Sequence, residues 1–244
     1  MKKTAQWMMM IGMISGIALG QIAFDSAENY EGWGDGDNEG FGFEEWRLSN
    51  SSGGNFLGDA GNLGSNTGVI NTDNKSFGIW ATGNSDAFRN FAQPMAVGDV
   101  FTFDVAFRFT SGDRGFDLRS GGSTVFNLNI NDGGFFWTGD NTLPLTDWEG
   151  NRENGMVIST TVTATATGFD YAFSSPQDAA LSSVLGSITS SPLNEVVFYV
   201  NNTGGGGDND FFFNNLEIVP EPGTALLLVG GLGLMAWMRR RNRA

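Results

Sequence analysis

Hydrophobic and polar positions alternate with a period of two through much of this chain. Phe101, Phe103, Val105, Phe107 and Phe109 fall on one side of a nine-residue run; Thr102, Asp104, Ala106 and Arg108 fall on the other. Such alternation predicts a half-buried β-strand. Phe126, Leu128 and Ile130 alternate with Asn127 and Asn129 in the same manner. The stretch from Val157 to Thr167 is rich in β-branched residues, which suit a pleated surface. Glu195 to Val200 and Phe211 to Ile218 read as two late strands. Turn-forming clusters separate these runs: Gly112 and Asp113, Ser120 to Gly122, Asp132 to Gly134, and Asn201 to Asp210. The pairs Gly121-Gly122 and Gly133-Gly134 are each placed to close a hairpin. One short helix is expected around Gln177 to Leu185.

Many short strands, Gly-rich turns and no alternation of strand with helix predict an all-β fold built as a two-sheet β-sandwich. The central segment, residues 24–219, exceeds immunoglobulin size and has long polar loops, so a jelly-roll, concanavalin-like sandwich is favoured. Phenylalanine, with 21 copies, supplies much of the expected core. From Asp25 to Asn74 regular patterning fades and Gly, Asn and Asp dominate. That region is either an elaborate loop or a lobe ordered by metal. No strong internal repeat is present.

Both ends fall outside the fold. Lys2 and Lys3 precede an apolar run, Trp7 to Leu19, and Ala18-Leu19-Gly20 fits a small-x-small cleavage site, with a cut after Ala23 as the later option. Residues 1–23 therefore read as a secretory signal peptide. At the other end Pro220, Glu221 and Pro222 precede an apolar run, Ala225 to Met238, and then Arg239, Arg240, Arg241 and Arg243. The prolines keep a helix from starting before them. Gly223 to Met238 is 16 residues, roughly 24 Å as a helix, against a hydrocarbon core of about 30 Å. Gly230, Gly231 and Gly233 weaken it further. The arginines should stay cytoplasmic and leave the rest outside. The segment is marginal as a permanent anchor, so a processed tail is preferred to a plain single-span anchor.

Triplet, apolar helix and terminal arginines in this order resemble the PEP-CTERM sorting signal of Gram-negative bacteria, over residues 220–244. The resemblance implies recognition and processing by an exosortase, transient residence in the inner membrane, and a mature form at the cell surface or outside the cell. It implies nothing about the domain before it.

Composition narrows the chemistry. Removing Lys2, Lys3 and the four tail arginines leaves 7 basic residues, and removing Glu221 leaves 26 acidic ones, so the central segment is near −19. Such a surface repels nucleic acid and anionic membranes, and no nucleic-acid partner is expected. Cysteine and histidine are both absent. That removes Ser-His-Asp and Cys-His catalysis and the His- or Cys-ligated zinc sites. Carboxylate chemistry survives. Glu44 and Glu45 are adjacent, so on a strand they point to opposite faces, and no strand-borne acid pattern of a glucanase is present. No enzyme activity is expected.

Candidate ligand sites remain. Asp35, Asp37 and Glu39, with Gly40, match the first half of an EF-hand loop, but its twelfth position is Trp46. They are a candidate calcium cluster, as are Asp208 and Asp210 before the last strand. Phe211 to Ile218 also resembles the final strand of jelly-roll carbohydrate-binding modules, beside which a structural calcium sits. The acid of that strand is here Asn214 or Asn215, a departure from the pattern. Gly42-Phe43-Glu44, followed by Trp46, resembles the opening strand of such modules. Trp33 and Trp148 lie in Gly/Asp-rich or charged loops and are candidate sugar-stacking rings. The chain thus reads as an exported surface or matrix protein associated with extracellular polysaccharide. Its alternatives are a carbohydrate-binding module stabilised by calcium, or a carboxylate-dependent glycosidase.

Overall fold

The computed structural model describes residues 21–109, 111–143 and 152–220. Thirteen antiparallel strands occur among them: β1 (Ala23–Asp25), β2 (Arg47–Gly58), β3 (Ser76–Asn90), β4 (Val100–Phe107), β5 (Asp113–Ser120), β6 (Ser123–Asn131), β7 (Gly134–Trp137), β8 (Asn141–Leu143), β9 (Met156–Thr165), β10 (Gly168–Ser174), β11 (Leu185–Thr189), β12 (Glu195–Asn201) and β13 (Phe211–Val219). They run in the order β11-β10-β9-β4-β13-β3-β12-β5-β6-β7-β8, with β1 on β13 and β2 on β3.

The long strand β3 turns this path into a sandwich. Its first part pairs with β13 (Phe77↔Phe213, Ile79↔Phe211), and its second part pairs with β12 (Asn84↔Asn201, Asn90↔Glu195). β2 follows β3 throughout, with a register break between Ser51 and Gly53. Small residues permit the bend there. A Cβ on Gly53 would lie 2.5 Å from the Trp80 carbonyl oxygen, and one on Gly83 2.3 Å from that of Ser51. One sheet therefore holds β11, β10, β9, β4, β13, β1 and the first part of β3. The other holds the second part of β3 with β12, β5, β6, β7 and β8.

Phenylalanine fills the space between the sheets. Phe198 of one stacks on Phe213 of the other at 3.9 Å and 6°, and Phe103 meets Phe116 edge-on at 4.8 Å. The inward side of β4 is Phe101, Phe103, Val105 and Phe107, all buried. Each such side chain contributes about 1.5–3 kcal/mol. A smaller apolar layer covers the outside of the first sheet, where Ala60, Leu63 and Ile70 pack on Ala106, Val157 and Phe212.

The Asp25 to Asn74 region is thus a lobe built from β1, β2 and short 3-10 turns at 60–63 and 67–70. Asn214 of β13 locks it to the sheet. Its Oδ1 accepts from the Ala27 amide at 2.9 Å, and its Nδ2 lies 2.8, 3.0 and 3.2 Å from Ile70 O, Thr72 Oγ1 and Lys75 O. A buried ion pair adds a second lock. Arg89 Nη2 lies 2.7 Å from Asp25 Oδ2, both side chains fully enclosed, and the guanidinium sits 4.8 Å from the Trp46 ring.

Two expectations need correction. The helix expected over Gln177–Leu185 is a single 3-10 turn, Leu181–Ser183, because Asp178 Oδ1 takes the Leu181 amide and Leu185 already belongs to β11. The second hairpin turns at Asp132-Gly133, since Gly134 is paired with Asn131. Ala23 in β1 is buried and pairs with Ile218. Among the described residues no helix is long and apolar enough to cross a membrane. The expected sorting helix lies outside them.

Candidate functional site

Alternation that points Phe116, Phe126, Leu128 and Phe198 inward points their neighbours out, so the outer face of the second sheet is a polar lattice. Register aligns Asp86 with Tyr199, Tyr199 with Gly115, and Gly115 with Asn129. The adjoining row carries Val197, Asp117 and Asn127. These side chains hold one another. Asn127 Nδ2 donates to Asp117 Oδ1 and to the Tyr199 hydroxyl, each at 2.9 Å. Arg119 donates to Asp117 Oδ2 at 2.9 Å, and Asn84 Nδ2 donates to Asp86 Oδ2 at 2.9 Å. Asn129 and Asn131 share Asp113 Oδ1, at 2.8 and 3.1 Å. Gly115 leaves room for this network, for a Cβ there would stand 3.0 Å from the Tyr199 hydroxyl.

Burial shapes the titration of this face. The Asp86 carboxyl is pushed above its ordinary range by burial, against the pull of Arg119 and with a further push from Asp117. Burial likewise raises the Tyr199 phenol, so it remains a donor and lies 3.2 Å from Leu128 O. Three depressions cross the face. One of about 340 Å³ lies over Asn84, Asp86, Asp117, Arg119 and Tyr199. A second, about 610 Å³, opens beside it between Glu44, Glu45, Arg47, Phe88 and Asn90. A third, about 350 Å³, lies over Phe136, Trp137 and Thr138. Asn127 borders both the first and the third, and the Phe88 ring lies between Arg47 (4.0 Å) and Arg119 (5.4 Å). The result is a row of fixed donors and acceptors flanked by partly exposed rings.

The residues singled out in sequence fall elsewhere. Trp33 is only 7% exposed and packs edge-on to Trp46 at 5.3 Å and to Phe213 at 5.7 Å, so it is a core ring with no face open to a sugar. Trp148 lies outside the described residues. Asp35 Oδ1 accepts from the Leu48 amide, and Asp37 Oδ2 from the Gly34 amide. Asp35 thereby ties the loop to β2, Asp37 braces the loop internally, and the Glu39 amide donates to the Tyr30 hydroxyl at 3.2 Å. Asp208 pairs with Arg108 at 2.7 Å. Asp210 is pushed up to about 7 by burial, with Arg114 opposing and Asp208 adding to the rise. Among the described residues no group of three or more acidic side chains is placed to hold a metal.

Pro220 follows the last β13 residue directly; Glu221, Pro222, Arg239, Arg240, Arg241 and Arg243 lie outside the described residues. Residues 219–243 match the PEP-CTERM protein-sorting motif. The PEP-CTERM motif implies an exported, membrane-anchored precursor processed by exosortase. No curated protein matches the chain. Among solved structures, a sialidase is similar over 83% of this chain and 19% of its own, at 10% identity and TM-score 0.52. The HCR/D F1240A mutant is similar over 82% and 47%, at 11% identity and TM-score 0.48. The metal-free carbohydrate recognition domain of Emp46p is similar over 72% and 88%, at 10% identity and TM-score 0.35. The chain spans about a fifth of the sialidase and under half of the HCR/D mutant. At 10% identity the likeness to the sialidase shows the fold alone.

Proposed function

We propose that the PEP-CTERM-sorted domain is a non-catalytic surface or matrix protein that holds extracellular polysaccharide on the outer face of its second sheet. The observation that carries the reading is the lattice of Asn84, Asp86, Asp117, Asn127 and Tyr199, whose side chains are fixed by mutual hydrogen bonds before any ligand arrives. A polyol offers alternating donors and acceptors, and preorganised partners for them reduce the ordering cost of binding. The half-buried rings of Phe88 and Phe136 lie along the same rows, where C–H-rich sugar faces can rest.

The test is affinity electrophoresis of the exported protein through gels of the host's own extracellular polysaccharide, with and without chelator. Asn127→Ala and Asp86→Ala should each weaken retardation by about tenfold, the loss expected for one or two hydrogen bonds to charged or fixed groups. Chelator should change nothing. Unaltered retardation in both variants removes this face from binding. Reducing-sugar release that vanishes in Asp86→Ala would replace the non-catalytic reading with a carboxylate-dependent hydrolase.

A further inference from the structure

Register brings many chain ends to the place where β13 leaves the fold. Val219 lies opposite Val100, and Ile218 opposite Ala23. The β9–β10 turn sits at the same end, because Val100 faces Thr163 and Gly168 faces Thr165. The segment after β3 returns there too: the Ala92 amide donates to Gly42 O, that of Met95 to Leu193 O, and that of Gly98 to Ala164 O. The Gly121 amide donates to Asn194 Oδ1 at 2.9 Å, which adds the β5–β6 turn.

This end differs chemically from the rest of the domain. Residues 91–98, 120–124, 164–168 and 188–194 contain no charged side chain, in a segment whose formal charge is near −19. Asp99 is buried and takes the Ala96 amide at 2.7 Å. Large apolar side chains stand in solvent here: Ile22 is 43% exposed, Phe41 48% and Val97 68%. Exposed acids stand only at the margin of this end, Glu39, Glu44 and Glu45 beside Phe41 and Glu217 bonded to Gln21, while at the opposite end Asp59, Asp208 and Asp210 border one depression.

Chain length then supplies the neighbour. Only Pro220 to Thr224 separate β13 from the apolar run at Ala225, a reach of about 17 Å when fully extended. The headgroup layer itself takes up about 5–8 Å of that distance. We propose that, in the precursor, this end of the sandwich, whose turns carry no charge, rests on the lipid bilayer surface, with Ile22, Phe41 and Val97 at the headgroup boundary. The opposite end would bring Asp59, Asp208 and Asp210 against anionic headgroups, which repel them. The polar face of the second sheet then stands roughly upright and open to the outside. The proposal rests on the sorting motif and is independent of glycan binding.

The absence of cysteine permits a direct test with the full chain. Single-cysteine variants Phe41→Cys, Val97→Cys and Val69→Cys (the last 71% exposed and away from this end) are reconstituted in phosphatidylethanolamine–phosphatidylglycerol vesicles, and each is also kept in detergent. Reaction with a water-soluble maleimide should slow by about tenfold at Phe41→Cys and Val97→Cys in vesicles, since a partly buried apolar side chain is worth that much. Val69→Cys should react at the same rate in both. A Val97→Glu change should restore the Phe41→Cys rate. Equal rates at all three positions in vesicles overturn the proposal. Slowing that appears only when exosortase is also present overturns it as well, and makes this end an enzyme contact instead.

Discussion

Replacing Arg89 with methionine isolates the charge in the lock between the N-terminal lobe and the sheet. The guanidinium is enclosed with Asp25 at 2.7 Å, bonds Asn38 Oδ1 at 2.7 Å and the Glu44 carbonyl, and lies over Trp46 and Phe43. Methionine fills much of the volume and leaves the Asp25 carboxylate with neutral side-chain neighbours, the Tyr30 hydroxyl at 3.1 Å and the Trp46 indole. Breaking a buried pair on one side costs about 3–5 kcal/mol. The cost should depend on pH in a definite direction. Burial already holds Asp25 at about 6, above its ordinary 3.8, in spite of Arg89. A folded pKa above the unfolded one means that the native state keeps a proton the unfolded chain has lost. Stability therefore falls as pH rises from about 4 to the folded pKa, and is level beyond it. In the wild type that fall ends near pH 6. Without Arg89 the folded pKa climbs further, so the fall continues, at up to about 1.4 kcal/mol per pH unit. The deficit of Arg89→Met should accordingly widen by about 1–3 kcal/mol between pH 6 and pH 8. Urea unfolding followed by tryptophan fluorescence reads it, because Trp46 and Trp33 lie in or beside the cluster. The Asp25→Asn/Arg89→Met double variant should lose the added slope. A deficit under about 1 kcal/mol, or one that is constant from pH 6 to pH 8, would refute the orphaned-charge argument.

The other predictions concern single features. Asn214→Asp aims a carboxylate at Ile70 O, Thr72 Oγ1 and Lys75 O, and should lower stability by about 2–4 kcal/mol in denaturant titration, with calcium restoring part of it. A mature chain beginning at Phe24 loses the bond from the Ile22 amide to Ile218 O and the buried Ala23; it should melt several degrees below one beginning at Gln21, and N-terminal sequencing of exported protein should find Gln21. Asp210 is held at about 7, so it keeps a proton in the fold between pH 4 and 7; its contribution to stability drops as pH rises through that window, and Asp210→Asn should flatten the thermal-midpoint profile there. Trp33→Ala should cost about 3–5 kcal/mol by chemical denaturation, as a core deletion does, while polysaccharide retardation of the folded fraction stays unchanged.

The strands that could be read from sequence are those whose two faces differ chemically. β4, β6 and β13 alternate because one face meets the opposite sheet, and in β13 a bulge after Asn214 resets the pattern without hiding it. β2 could not be read. It is rich in Ser, Gly and Asn, much of it faces solvent, and it is a strand because β3 offers it a continuous edge. β3 was hidden for the opposite reason. Its inward positions run Phe77, Ile79 and Ala81, then Ser85, Ala87 and Arg89, so a buried serine and a buried arginine stand where the alternation needs apolar residues. Each has a specific partner, Asn50 Oδ1 for Ser85 and Asp25 for Arg89, and both partners are far away in the chain. Pairing of that kind leaves no local periodicity.

The polar face was legible only in part. Asn127 and Asn129 stand out as the polar half of the β6 alternation, but Asp86, Asp117 and Tyr199 join them only through the β3-β12-β5-β6 order. Spacing along the chain does not reveal what the candidate acids bond in the fold. Calcium takes about six to eight oxygen ligands converging on one point. Asp35 and Asp37 each give one oxygen to a backbone amide, of Leu48 and of Gly34, which shapes the loop itself. At the last strand the oxygens do converge, since Ile70 O, Thr72 Oγ1 and Lys75 O all face one point. That point is filled by the Asn214 amide nitrogen, whose positive hydrogens occupy the place where a carboxylate would have required a cation. The lobe is therefore fastened to the sheet by an amide, without the calcium dependence that an acid at this position would impose.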